Sequence, residues 1–347
     1  MTGDVITIGG HSILPGSSAT LELPIPQLYT HTPMEMPVNV IRGKSTGPCL
    51  FVCAAIHGDE LNGVEIIRRL MAQTTLKRIK GTLITIPMVN LYGVINHSRY
   101  LPDRRDLNRS FPGSETGSLA SRVAHLLMSE VVVNATHAID LHTGGLHRSN
   151  LPQIRANLDD AETRKLAHSF GVPVVINSRL RDGSLREAAS DLGIPIMIYE
   201  AGEALRFDEV SIRAGVRGIN NVMHALGMLP AKKTAGNNAP IYTAQSSGWV
   251  RAPISGILLN NTKLGDTVMK GDVLGVVGDP FGPSKTEIRA TSAGVVVGRT
   301  HLPLVNEGDA VIHVAHFENI SAVSDQVDDF KDVQRRAIED SDLPSIV

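Results

Sequence analysis

The stretch that begins at Cys49, CLFVCAAIHGDELNGVEIIRR, constrains the fold more than any other. Its apolar run, residues 50–56, predicts a buried strand. Residues 61–70 then repeat apolar side chains at helical spacing, so the helix returns its stripe to the same core. Between them lies His57-Gly58-Asp59-Glu60. In an open α/β sheet ligands bind at the carboxyl ends of strands. A polar quartet there, with a glycine permitting close backbone approach, sits where chemistry is usually done.

His57 and Glu60 are three apart across a strand-to-helix turn, which can aim an imidazole nitrogen and a carboxylate oxygen at one point. Zinc takes such ligands at about 2.0–2.2 Å, and its catalytic sites use three protein ligands and leave one position for water. Spacing alone leaves a plain polar loop as the commoner alternative. With 13 His and 35 acidic residues in 347, roughly one His-x-x-acid pair arises by chance. There are two, His57/Glu60 and His137/Asp140.

The best third ligand is His142, at the end of a strand predicted over 137–141, because two strand ends of one sheet can converge on one rim. Asp140, two residues back on the same strand face, could orient a neighbouring ligand. A capped strand end is the plainer alternative, and the first pair tilts the choice toward a metal. Glu200 closes the apolar run IPIMIYE, either as a loop acid or as a general base held at the rim within reach of a metal-activated water. Residues 90–112 form a long polar loop in which Arg99, Arg104, Arg105 and Arg109 crowd around Asp106 and Asn108. Loops of that length are usually functional or disordered. Arginine grips carboxylates through a planar fork, with surface ion pairs as the ordinary alternative.

The chain is long enough for two domains. A net charge of -2 without a basic block excludes a nucleic-acid track and an anionic membrane surface as partners. A small anionic or zwitterionic substrate fits better. The start has no secretory pattern and no run reaches 18 apolar residues, so a cytoplasmic protein is expected. Cys49 and Cys53 lie about 13 Å apart along one predicted strand, too far for a disulfide. They read as core thiols and offer no cysteine zinc cage.

Strands at 38–42, 50–56, 82–87, 137–141, 153–157, 172–176 and 194–200 alternate with helices at 61–70, 118–133, 161–170, 185–192 and 210–226. This predicts a mixed, mostly parallel sheet flanked by helices. Residues 1–36 are a lead-in that packs on the core or reaches a partner subunit, and 37–230 the catalytic domain. A linker follows at 231–244. Residues 245–317 read as a small all-β sandwich of two matching halves, with Ala252-Pro-Ile-Ser-Gly-Ile-Leu set against Ala290-Thr-Ser-Ala-Gly-Val-Val. The charged tail, 318–347, frays or forms a surface helix.

HGDE, SRY…DLNR, DLHT and YEAG, in this order over about residues 37–230, resemble the succinylglutamate desuccinylase/aspartoacylase family, relatives of the zinc carboxypeptidases. The resemblance implies a zinc carboxypeptidase-like fold and one Zn2+ per chain held by His57, Glu60 and His142. It further implies Glu200 as general base, Arg99 as the residue steadying the oxyanion, and Asn108-Arg109 as the clamp on a substrate carboxylate. Asp140 and Asp106 are the carboxylates expected to support these ligands from behind. The implied reaction is hydrolysis of the amide of an N-acyl amino acid. A carboxypeptidase acting on short acidic peptides is the alternative, and a non-enzymatic carrier or binding module a further one. The family's side-chain specificity residues find no match, although Arg179, Arg181 and Arg186 are candidates. The sandwich resembles a biotinyl/lipoyl-type domain, but matching Glu287-Ile288 to that pattern puts Pro283, not Lys285, at the acceptor position. The domain is therefore expected to shape the active-site rim. Self-association into a homo-oligomer stays open.

Overall fold

The computed structural model describes residues 5–230 and 242–339, the side chains of 337–339 excepted. Most of the expected linker and the end of the expected tail lie outside the described residues.

Strands β1 (Ser18–Ile25) and β2 (Met34–Arg42) pair antiparallel along their length, and Leu21, Leu23 and Ile25 enter the main core. The lead-in, expected to pack on the core or to reach a partner subunit, packs these residues on the core of its own chain. Next come β3 (Cys49–Ala54), α1 (Asn62–Met71), β4 (Thr82–Ile86), α2 (Leu119–Glu130), β5 (His137–Gly144) and β6 (Arg148–Ala156). Then follow α3 (Ala161–Phe170), β7 (Val174–Asn177), α4 (Leu185–Asp191), β8 (Ile196–Glu203) and α5 (Glu209–Ala225). The sheet runs β1-β2-β4-β3-β5-β8-β6, with β7 beside β6.

Its centre is parallel, β4 with β3, β3 with β5 and β5 with β8, and β7 is parallel to β6. β6 runs antiparallel to β8, against the simple alternation expected from the sequence. Only residues 145–147 separate β5 from β6, and a parallel return needs a crossover of a dozen residues or more. The loop 90–112 is also less open than expected. It contains a short helix at Leu91–Ile95 and a 3-10 turn at Leu107–Arg109, and Tyr92, Leu101, Leu107 and Phe111 anchor it in the core.

Side chains alternate across the sheet. Leu50, Val52, Ile139, Leu141, Met197 and Tyr199 face α1, α3 and α5. Cys49, Phe51, Cys53, Ala138 and Ile196 face the other core, under α2 and α4. On this second face the alternate positions turn polar toward the strand ends, giving Asp140 and His142 on β5 and Glu200 on β8. Cys49 and Cys53 are buried free thiols, and burial pushes the Cys49 thiol up to about 12.

Beyond residue 242 come β9 (Ser246–Arg251), β10 (Gly256–Asn260), β11 (Val273–Gly278), β12 (Lys285–Arg289), β13 (Gly294–Thr300) and β14 (Ala310–His316). β10, β11 and β12 form one antiparallel layer, and β9, β14 and β13 the other. Leu258, Leu274, Val277, Ile288, Val296 and Ile312 fill the space between them. The second layer is not a detached body. β13 pairs antiparallel with the start of β6, so the main sheet continues into the sandwich. Helix α6 (Ile320–Glu339) buries Val323 and Val327 against this junction, so the described part of the tail is a packed helix. Lys285 is an exposed residue at the start of β12, one step after Pro283-Ser284 in the turn. No helix of the described residues is long and apolar enough to cross a membrane.

Candidate active site

The chain leaves β3 through Ala55, whose φ of 52° turns it sharply at the sheet's rim. The following loop packs so closely that a Cβ on Gly58 would lie 2.0 Å from the Gly93 backbone, and only glycine fits there. This contact seats His57 and Glu60, both buried, over the end of β5.

The three sequence-predicted donors converge. His57 Nδ1 lies 2.8 Å from Glu60 Oε1, and His142 Nδ1 lies 2.8 Å from Glu60 Oε2. One ligand atom from each residue falls within 4.8 Å of the others. The Thr143 backbone N–H donates to Glu60 Oε2 at 3.0 Å. The outer ring nitrogens are held by carboxylates, His57 Nε2 by Asp106 Oδ1 at 3.1 Å and His142 Nε2 by Asp140 Oδ2 at 2.7 Å. Both Nδ1 atoms are thereby fixed facing inward, an arrangement that carboxylates beside metal-binding histidines commonly enforce.

Burial pushes the Glu60 carboxyl up, but the two imidazoles outweigh it and hold the group well below the usual carboxylate range. Burial likewise pulls His142 down, and the Asp140 and Glu60 carboxylates overcome this and raise it well above an ordinary histidine. The set attracts positive charge. Arg99 Nη1 leans on it, 3.2 Å from His57 Nδ1 and 3.3 Å from Glu60 Oε1, while its Nη2 donates to Asp106 Oδ2 at 2.9 Å. Two inward nitrogens and one carboxylate, already drawing a cation, suit a small divalent ion of the zinc type.

Glu200 stands opposite His142 in register. Its Oε1 accepts from Asn150 Nδ2 at 2.6 Å and its Oε2 from Arg155 Nη1 at 3.1 Å. Glu200 and the three donors line one cavity of about 160 Å³ together with Arg99, Asn108, Arg109, Arg155, Arg181 and Arg186. Asn108 Oδ1 accepts from the Leu185 backbone N–H at 2.9 Å, tying the loop to the start of α4. Arg186 is buried, donating to the carbonyls of Ser178 (3.1 Å) and Arg179 (2.9 Å). Burial, with Arg155 and Arg181 adding repulsion, lowers it to about 10. Arg99 and Arg155 have carboxylate partners, whereas among the described residues Arg109, Arg181 and Arg186 have none. Of the three side-chain candidates, Arg179 alone does not line the cavity and contributes only its carbonyl to Arg186.

Asn150 and Arg155 escaped the sequence reading. Asn150 precedes the expected start of its strand, and Arg155 sat in a strand whose antiparallel direction was not foreseen. The DLHT and YEAG phrases were the available signal for this rim, but they do not show that β6 lies beside β8 and supplies both partners of the Glu200 carboxylate.

Residues 46–226 match the succinylglutamate desuccinylase/aspartoacylase catalytic domain. The chain is 28% identical over 293 residues to an N-alpha-acetyl-L-2,4-diaminobutyric acid deacetylase of Halomonas elongata, an alignment covering 81% of this chain and 85% of that one. Among solved structures it is similar to a succinylglutamate desuccinylase/aspartoacylase from Rhodobacter sphaeroides. That pair shares 25% identity and a TM-score of 0.78 over 86% of this chain and 96% of the other. It is also similar to the product-bound ectoine utilization protein of Ruegeria pomeroyi, with 26% identity and a TM-score of 0.77 over 86% and 95% of the two chains. With residues 46–226 matched to that catalytic-domain model, more than half of the chain, the chain belongs to the succinylglutamate desuccinylase/aspartoacylase family.

Proposed function

We propose that this protein is a zinc-dependent hydrolase that splits the amide bond of an N-acyl amino acid. The observation that carries the reading is the shared cavity, in which the inward Nδ1 atoms of His57 and His142, the Glu60 carboxylate and the Glu200 carboxylate meet beside arginines that have no carboxylate partner among the described residues. His57, Glu60 and His142 would hold the zinc ion, which when bound would supply Lewis acidity to the amide carbonyl and to water.

The chain's own residues do the rest. Glu200 accepts the proton that water loses as it attacks the carbonyl carbon, and returns it to the departing amine. Arg99 donates to the carbonyl oxygen as negative charge gathers on it. Asn108 and Arg109 hold the substrate's α-carboxylate. Arg181 and Arg186, which have no carboxylate partner among the described residues, favour a substrate whose acyl arm or side chain carries a second anion. They disfavour the amine side chain named in the Halomonas relative's substrate. In this reading 37–230 is the catalytic domain and 245–317 its companion.

The test is a panel. Zinc-loaded protein is incubated with N-acetyl and N-succinyl derivatives of acidic, neutral and 2,4-diaminobutyric amino acids, and with short acidic peptides, and free amine is measured. Release from the acidic N-acyl compounds is expected. Turnover confined to peptides would instead make the protein a carboxypeptidase.

A further inference from the structure

The sandwich is joined to the active site by one cross-strand row. Trp249 on β9 pairs with His313 on β14, His313 with Gly298 on β13, Gly298 with Asn150 on β6, and Asn150 with Gly202 on β8. Paired residues project from the same face of a sheet. The rings of Trp249 and His313 stack at 4.8 Å, 8° from parallel. The row then meets a gap, because Gly298 has no side chain, and the Asn150 amide fills it. A Cβ on Gly298 would lie 2.7 Å from Asn150 Oδ1 and 3.2 Å from His313 Cβ.

A bulge turns Asn150 toward the active site. Glu200 pairs with Gln153 and Gly202 with Asn150, so two steps along β8 span three along β6. In a regular strand Asn150 and Gln153 would point to opposite faces. The extra residue brings Asn150 onto the face of Glu200, where its Nδ2 makes the shorter of that carboxylate's two bonds, 2.6 Å against 3.1 Å from Arg155. Bulges are over-represented beside active sites, where they re-aim a side chain. Asn150 is 6% exposed, with little room to adopt another position.

We infer that Asn150 is a positioning residue for Glu200, and that its placement depends on the absence of a side chain at Gly298, so that the sandwich sets the aim of the active-site carboxylate. This gives the C-terminal domain a mechanical part in the reaction without contact with substrate. The inference rests on Glu200 being the general base, and its test separates the two.

Asn150→Ala removes the bond without adding bulk, and Gly298→Ala leaves the bond's chemistry intact but crowds it from the other domain. Misplacement of a reacting group by about 1 Å can cost on the order of 100-fold in rate. Asn150→Ala is expected to lower kcat by about 10- to 100-fold with KM within about twofold, and Gly298→Ala to lower it in the same direction. Coupled sites are non-additive, so in the Asn150→Ala background Gly298→Ala should change kcat by less than about twofold. An unchanged kcat in Asn150→Ala, or full additivity in the double variant, would overturn the inference even in an enzyme that needs Glu200. Crystal structures of the native protein and Gly298→Ala give a readout independent of turnover. Displacement of the Asn150 amide with a turned Glu200 carboxylate is expected, and a Glu200 that stays in place would overturn the coupling whatever the substrate proves to be.

Discussion

Glu200 and His142 are register partners on adjacent parallel strands, so the carboxylate and the imidazole leave the sheet on the same face. Neighbouring strands are about 4.8 Å apart, a span that places an acid beside the donor set without occupying it. Glu200→Gln keeps the shape and hydrogen-bonding capacity of the side chain and removes its basicity. The variant should retain one zinc per chain and its melting temperature while kcat falls by about 10²–10⁴-fold, the usual scale for a lost general base. Metal content by atomic emission, read beside single-substrate kinetics, checks both halves. Near-native turnover would mean that the proton goes elsewhere.

Asp106 and Asp140 never face the inward nitrogens, yet they decide which ring nitrogen points inward. Asp140→Ala should weaken zinc binding by about 10–100-fold, the range seen when such supporting partners are removed, and Asp106→Ala should do the same at His57. Competition with a fluorescent chelator measures the affinity directly. A His142→Ala variant, which deletes a donor outright, should fall well below either. Affinities of the aspartate variants equal to native would show that the two rings are held by packing alone.

Arg186 is a buried cation whose Nη atoms donate to backbone carbonyls, whose Nε is left without a partner, and which has no carboxylate partner among the described residues. Removing a charge that awaits an anionic arm should affect binding of that arm and little else. Arg186→Met, similar in length, should raise KM for N-acyl acidic amino acids by about tenfold or more, the effect expected of a charge-assisted bond worth about 1.5–3 kcal/mol. KM for N-acyl neutral amino acids should barely move. Equal losses on both substrate classes would assign Arg186 to the scaffold of the 178–185 loop instead.

Much of this site could be read from the sequence because its parts sit where local pattern is strongest. His57 and Glu60 flank a strand-to-helix turn marked by an apolar run and a helical repeat, and His142 and Glu200 lie toward the carboxyl ends of strands of the same kind. What escaped was set by pairing between distant segments. Nothing local to residues 148–152 shows that β8 will insert between β5 and β6, that β6 will run antiparallel, or that a bulge will swing Asn150 onto the face of Glu200. The sandwich was legible from its repeated phrases. Its continuity with the main sheet was not, since Gly298 pairing with Asn150 spans nearly half the chain.

His313 offers a test of that junction through stability. It is 3% exposed, stacked on Trp249, and lowered from 6.5 to about 3, first by burial and then by the charges of Arg155 and His316. The folded protein therefore keeps it neutral, while the unfolded chain protonates it near 6.5. Above that pH the two states bind the same number of protons at this site. As pH falls from about 6.5 toward 3 the unfolded state holds one more, and stability drops by about 1.4 kcal/mol per pH unit. Between pH 7.5 and 5.0 the loss from this residue is about 2 kcal/mol. His313→Phe preserves a flat ring beside Trp249 and has nothing to titrate, so its unfolding free energy in urea should fall by about 2 kcal/mol less than the native protein's over that interval. Identical pH slopes would mean that water reaches His313 and that the seam between sandwich and sheet opens in solution.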